Sequence, residues 1–293
     1  MLPETFTPQL LRQLELLRIR ARRSFLGTRQ GGHVSLKRGH GIEFSDFRKY
    51  ELGDDPRHID WNVYARSERL YVKRFQEEQD LSVFIFLDST ASMHNPAADR
   101  KWEYARDLVL ALAYVALLQQ DGVTIAVPGV WHSPRFSGGK SVHQIAKALE
   151  KPRLSPAAKY RKSMERAISQ VRFPGVAFFV SDFLMPLKEI QYYFSVLRSR
   201  NLDICAIQVL GENDLDPLPR QEQVVAIDSE NGEEVELLLS PEERKDYGYA
   251  LENHNRQLRA FLAENGISCI TALTSQALSD FMANNLAGTG LLQ

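Results

Sequence analysis

Cysteine is nearly absent from this 293-residue sequence, which holds only Cys205 and Cys269. Each lies in a β-branched or apolar stretch, and neither belongs to a CxxC pair. That excludes a disulfide framework and a cysteine zinc site, and reads as two small buried hydrophobes in a reducing compartment. Long apolar runs are also missing. The longest, Leu108 to Leu118, falls short of the roughly 20 residues that a bilayer-spanning helix needs, so no membrane insertion is expected. Met1 to Arg23 is amphipathic and studded with arginine but has no continuous apolar core, so it does not read as a secretory signal. The expected location is cytoplasmic. There is no excess of charge of one sign: the formal net charge is -1, which gives no global case for nucleic acid or an anionic membrane. No GxSxG nucleophile elbow occurs. Gly138-Gly139-Lys140-Ser141 resembles the tail of a phosphate-binding loop, but Pro134 stands where the first loop glycine belongs and no convincing strand precedes it. A nucleotide site is rejected, and any ATP in this protein's biology is expected to be hydrolysed by a partner.

Local charge is less even than the total. Residues 1–40 hold eight Lys/Arg against Glu4 and Glu15, and Glu212 to Asp246 holds twelve Asp/Glu against Arg220, Arg244 and Lys245. Leu10, Leu11, Leu14, Leu17 and Phe25 fall near helical spacing with arginines between them, which predicts an N-terminal amphipathic helix with a basic outer face. Aromatic residues are not interleaved with those arginines, apart from Phe25, so stacking on bases is poorly supported and nucleic acid is not expected as a partner.

The 44% hydrophobic content is enough for a well-buried core. Leu81 to Leu87 is an almost unbroken apolar run stopped by Asp88, and Val176 to Val180 is another, stopped shortly after by Asp182. Such runs mark strands covered on both faces. Strands and helices alternate from residue 81 onward, which predicts right-handed βαβ units and an α/β fold with a doubly wound, mostly parallel, Rossmann-type sheet. Helices are predicted over Lys101 to Gln119, Val142 to Glu150, Ala157 to Val171, Leu187 to Arg200, Pro241 to Glu264 and Gln276 to Leu286. Val224 to Ile227 and Val235 to Leu239 flank Asn231-Gly232, a hairpin signal, which places a small insertion near 222–240. Residues 1–80 are expected to form a helical and irregular extension, and residues 81–293 the α/β domain.

Ligands of such a sheet sit beyond the carboxyl ends of its strands, where Asp88 and Asp182 fall. Asp88-Ser89-Thr90-Ala91-Ser92 turns a carboxylate and hydroxyls toward one point, an oxygen-only set suited to a hard ion such as Mg²⁺. Here the chain resembles von Willebrand factor A domains, whose metal site uses Asp-x-Ser-x-Ser after the first strand, a Thr before a middle helix and an Asp after a later strand. The resemblance implies Asp88, Thr90, Ser92 and Asp182 as metal ligands. The middle Thr is the departure: Lys159 or Tyr160 stands near its place, with Ser155 and Ser163 as substitutes. The residues leave a second reading open, in which Asp88 and Asp182 only cap helix N-termini.

A longer resemblance runs through Arg38-Gly39-His40-Gly41-Ile42-Glu43-Phe44, Arg48-Lys49-Tyr50, Gly53 to Trp61, Ala65-Arg66, Leu70 to Phe75 and Glu77-Glu78. With Asp88 to Met93, Val180 to Phe183 and Gly232-Glu233-Glu234, this order is similar to the bacterial domain-of-unknown-function family 58, whose core is von Willebrand factor A-like. The resemblance covers nearly the whole chain. It implies a non-enzymatic module that works with a MoxR-type AAA+ ATPase in assembling or maturing a client protein. From the residues alone, Arg48, Arg57, Arg66 and Arg74 face Glu43, Asp54, Asp55, Asp60, Glu77 and Glu78 in a segment too poor in aliphatics for a core. An ion-pair network that docks the segment, with Phe44, Tyr50 and Trp61 as apolar anchors, is the expectation. His40, Glu43, Asp46, Asp54, His58 and Asp60 fit no standard zinc spacing. The competing class is a metal-dependent hydrolase using Asp88 and Asp182 to activate water.

Overall fold

The computed structural model describes residues 2–21, 42–77, 81–151, 153–171, 175–200, 202–216, 223–227, 234–238 and 241–292. Its strands are β1 (Ile42–Lys49), β2 (Tyr71–Glu77), β3 (Ser82–Leu87), β4 (Gly122–Val127), β5 (Trp131–His132), β6 (Gly175–Ser181), β7 (Asp203–Leu210), β8 (Gln223–Ile227), β9 (Glu234–Leu238) and β10 (Ser268–Leu273). The chain divides into two compact units, Leu26–Asp80 and the remainder, Met1–Phe25 with Leu81–Gln293.

The larger unit is built on a six-stranded sheet ordered β10-β7-β6-β3-β4-β5. All neighbours are parallel except the two-residue β5, which runs antiparallel to β4. This is the expected α/β architecture with a mostly parallel sheet. Side chains of a strand alternate between faces, and the core divides accordingly. Val83, Ile85, Leu87, Val176, Phe178 and Val180 join one cluster with the Lys101–Leu118 helix. Phe84, Phe86, Ala177 and Phe179 join the other with the Ala157–Ser169 and Leu187–Arg198 helices. Burial on both faces is why these strands read as apolar runs rather than alternating ones.

The Pro241–Glu264 helix has the expected bounds, while the Asn231-Gly232 turn lies outside the described residues. β8 and β9 pair antiparallel as the expected hairpin insertion. Three local differences stand out. The N-terminal helix is shorter than expected, Pro8–Leu16, capped by the Thr7 hydroxyl; Arg18 and Arg20 follow it, and Arg22, Arg23 and Phe25 lie outside the described residues. It belongs to the α/β core: Leu10 and Leu14 are buried there, and the Thr5 hydroxyl donates to Asp107 at 2.6 Å. The expected terminal helix opens with Leu278–Asp280 and continues as a wider π-turn, Phe281–Leu286.

The third difference is in the smaller unit, where β1 and β2 pair antiparallel from Ile42 opposite Glu77 to Lys49 opposite Tyr71. Between them, Asp60 caps the Trp61–Ser67 helix through the amides of Asn62 and Val63. Of the expected ion pairs, Arg48–Asp54 and Arg57–Asp55 form, each at 2.7 Å. Trp61 is 61% exposed and meets Tyr64 edge-on.

Because Leu14 is fully buried, Leu14→Ala is expected to lower unfolding stability by roughly 2–5 kcal/mol, the range for truncating a core leucine. Urea denaturation of the full chain measures this.

Candidate functional site

β3 and β6 lie side by side with Leu87 opposite Val180, so the two chains leave the sheet together. From β3 the chain crosses to β4 on one side, and later returns to β6 on the other. That reversal is the switch point at which open α/β sheets hold ligands. Asp88 follows β3 and donates its amide to Val180 O at 2.9 Å. Asp182 follows β6. Both are buried.

Each carboxylate uses one oxygen to shape its own loop. Asp88 Oδ1 accepts from the Thr90 amide at 2.9 Å, and Asp182 Oδ1 from the Leu184 amide at 3.2 Å. The remaining oxygens reach across the fold. The Ser181 hydroxyl donates to Asp88 Oδ2 at 2.6 Å, and the same hydroxyl oxygen accepts from the Phe183 amide at 2.9 Å. Phe183 adopts φ 54°, a left-handed conformation that disfavours a bulky side chain. It is held there by its bond to Ser181, by His254 Nε2 against its carbonyl at 2.7 Å, and by packing of its ring on Phe179 and Phe194.

Asp182 Oδ2 accepts from Lys101, a residue that sequence reasoning did not place at the site. The Lys101 ammonium bridges Asp182 Oδ2 at 3.2 Å and Asp214 Oδ1 at 2.8 Å, and the Lys101 and Asp182 side chains are each 1% exposed. Lys101 opens the Lys101–Leu118 helix, where a cation opposes the helix dipole. Two carboxylates offset that cost and the cost of desolvation. A lysine in the first turn of an otherwise buried helix was the available signal. Asp214 is anchored in turn by the Gly211 amide at 2.9 Å. A side chain at Gly211 would sit 2.2 Å from the Asp99 carboxylate, and Asp99 Oδ1 accepts from both the amide and the side chain of Asn213.

The departure at the middle element resolves into four placements. Lys159 is exposed and Ser163 half-buried. Ser155 is buried, donates its hydroxyl to Pro128 O at 2.5 Å and its amide to Ser89 O at 2.7 Å. Tyr160 is buried, and its hydroxyl has no hydrogen-bond partner among the described residues. Burial, then the nearby charges of Asp88, Tyr193 and Asp182, raise its pKa well above that of an ordinary phenol. The hydroxyls of Thr90 and Ser92 lie 3.2 Å apart. Ser89 and His94 serve the loop itself. Ser89 Oγ donates to Arg153 O, so the bond to His94 Nε2 at 2.9 Å takes its proton from the imidazole. The His94 ring stacks on Trp102, and burial lowers its pKa.

The charges do not balance. Asp182 and Asp214 share one ammonium, that of Lys101, and no described ammonium or guanidinium pairs with Asp88. Burial, then the Asp182 charge, raise the Asp88 pKa to about 6 against the hydrogen bonds from Ser181 and Thr90. Burial likewise raises Asp214, opposed by Lys101. An uncompensated buried carboxylate beside the Thr90, Ser92 and Tyr160 hydroxyls is a donor set that fits a hard cation; Asp182 is shared with Lys101. Among the described residues no three His, Cys, Asp or Glu side chains form a metal-ligand group, so such an ion would depend on the hydroxyls.

The family model described as "Protein of unknown function DUF58" matches residues 46–257. The chain belongs to this family. DUF58 relatives include Mb1516 of Mycobacterium bovis and Rv1480 of Mycobacterium tuberculosis. Each is 26% identical over 280 residues, covering 92% of this chain and 86% of the relative. Among solved structures, BatB from Bacteroides thetaiotaomicron aligns with a TM-score of 0.42 at 12% identity, over 72% of this chain and 98% of that one. An aerotolerance-related membrane protein from Bacteroides fragilis aligns with a TM-score of 0.38 at 16% identity, over 64% of this chain and 98% of that one. Among the described residues of this DUF58 chain no helix is long and apolar enough to cross a membrane.

Two outcomes follow from the charges. Lys101→Met removes the shared cation and leaves Asp182 and Asp214 buried without it, so stability falls by roughly 3–5 kcal/mol, read by urea denaturation. The second is pH dependence in chelator. The folded pKa of Asp88 is raised, so its favourable contribution is full below the unfolded value and lost as pH rises through about 6. Asp88→Asn is expected to gain about 2 kcal/mol on the parent chain between pH 4 and pH 8, at roughly 1.36 kcal/mol per unit.

Proposed function

We propose that this DUF58 protein is a non-enzymatic protein-binding module that docks partners on the Asp88–Ser92 loop at the carboxyl end of its sheet. The observation that carries the reading is the buried Asp88 carboxylate, which has hydroxyls around it and no described cation paired with it. In this reading the core is von Willebrand factor A-like. A divalent cation, Mg²⁺ by preference, is held by Asp88, Thr90, Ser92 and Asp182, with the Tyr160 hydroxyl in the middle position. When bound, the ion supplies an open coordination place for a partner carboxylate. The chain's own residues set the geometry: Ser181 and the Thr90 amide orient Asp88, and Lys101 orients Asp182.

The family resemblance supports a MoxR-type AAA+ ATPase, or its client, as the partner, with the cytoplasm as the setting. Hydrolysis is the weaker reading because, among the described residues beside Asp88, the candidate bases are engaged. His94 is committed to Ser89 and Trp102, and Asp182 to Lys101.

Asp88→Ala is expected to abolish Mg²⁺-dependent capture of the ATPase from native extract while circular dichroism stays unchanged. Capture that is equal in Mg²⁺ and chelator, for parent and variant alike, would exclude the metal-dependent mode. Phosphodiester turnover lost in Asp88→Ala would favour the hydrolase.

A further inference from the structure

A second recess adjoins the Asp88 loop on the β4 side of the sheet. It encloses about 200 Å³ between Trp102, Trp131, Lys147, Lys151 and Arg153. The three basic side chains are exposed, and among the described residues no acidic side chain lines the recess. Among the described residues none of the three is in an ion pair. Trp102 is 3% exposed, and its indole N–H finds no acceptor among the described residues. A buried donor of this kind calls for a partner.

The shape and chemistry narrow the occupant. The volume lies below the roughly 300–1,000 Å³ of typical small-molecule sites, and suits one or two side chains of a protein. Three cations favour carboxylates, the half-buried Trp131 offers an apolar wall, and an indole N–H donates to a carboxylate or a peptide carbonyl. We propose that this recess is a docking point for an acidic, partly apolar segment of a partner protein. The segment's carboxylates face Lys147, Lys151 and Arg153, and its apolar part lies on Trp131.

The recess is wired to the Asp88 loop. Arg153 accepts the Ser89 hydroxyl through its carbonyl, and the Ser155 amide donates to Ser89 O at 2.7 Å. Trp102, which also lines the recess, stacks on His94 with centroids 4.9 Å apart, and His94 bonds Ser89. A segment seated here thus rests against both elements that hold the Asp88 loop. The inference builds on the protein-binding reading above, but it depends on different side chains.

The test uses the full chain carrying Trp61→Phe. The sequence has three tryptophans, so the remaining emission comes from Trp102 and Trp131. The probe is a short blocked peptide of glutamate and leucine, titrated at low salt with inorganic phosphate as control. The expected result is a saturable emission change that weakens with salt. It should also weaken at least about tenfold in Lys147→Glu/Lys151→Glu, and persist in Asp88→Asn. No saturable change, or equal affinity in the charge-reversed chain, overturns the proposal. An equal response to phosphate replaces the peptide with a small anion and overturns it as well. Loss of binding in Asp88→Asn overturns the recess as a separate docking point. Loss of Mg²⁺-dependent capture in Asp88→Ala with peptide binding intact supports the recess as a docking point separate from the Asp88 loop.

Discussion

The carboxyl end of the sheet depends on one buried ammonium. Lys101 ties the loop after β6, through Asp182, to the segment after β7, through Asp214, from the first turn of a long, mostly buried helix. Ion pairs this deep repay desolvation only when geometry is good and the other lone pairs are satisfied. Both conditions hold here, because the Leu184 and Gly211 amides take up the second oxygens. The bridge leaves these two loops one arrangement, and that arrangement fixes where Asp88 can be.

Asp88 itself is fixed by neutral donors, a serine hydroxyl and an amide. The site therefore combines one compensated carboxylate with one uncompensated carboxylate on neighbouring strands. Its rigidity extends outward through hydrogen bonds from Ser89 to Arg153, and through the His94–Trp102 stack. Binding surfaces placed on a framework this constrained lose little conformational entropy on association.

Much of this end of the molecule was legible in the sequence. Asp88 and Asp182 could be placed at strand ends because apolar runs buried on both faces stop at polar residues. Lys101 could not, because a side chain that reaches between two loops from a helix start has no signature in spacing. Tyr160 was passed over because the family pattern directs attention to threonine, whereas burial brings a phenol near the same carboxylates. β1 and β2 were hidden by their charges: Arg48, Lys49, Lys73 and Arg74 mask the period of two in a strand pair with little apolar content. The N-terminal helix was overextended because the apolar spacing continues beyond Leu16, while Leu17 already turns to extended backbone. The hairpin was found from its turn dipeptide, a local signal that needs no tertiary context.

One margin of the sheet has a different consequence. β5 is two residues long and runs against the direction of the other strands of its sheet. A parallel sheet grows by crossover, and an outer strand that offers a matching ladder of amides and carbonyls invites another chain to continue it. A strand this short presents too few groups for that continuation. The β4 side thus closes to backbone pairing, and recognition there falls to side chains.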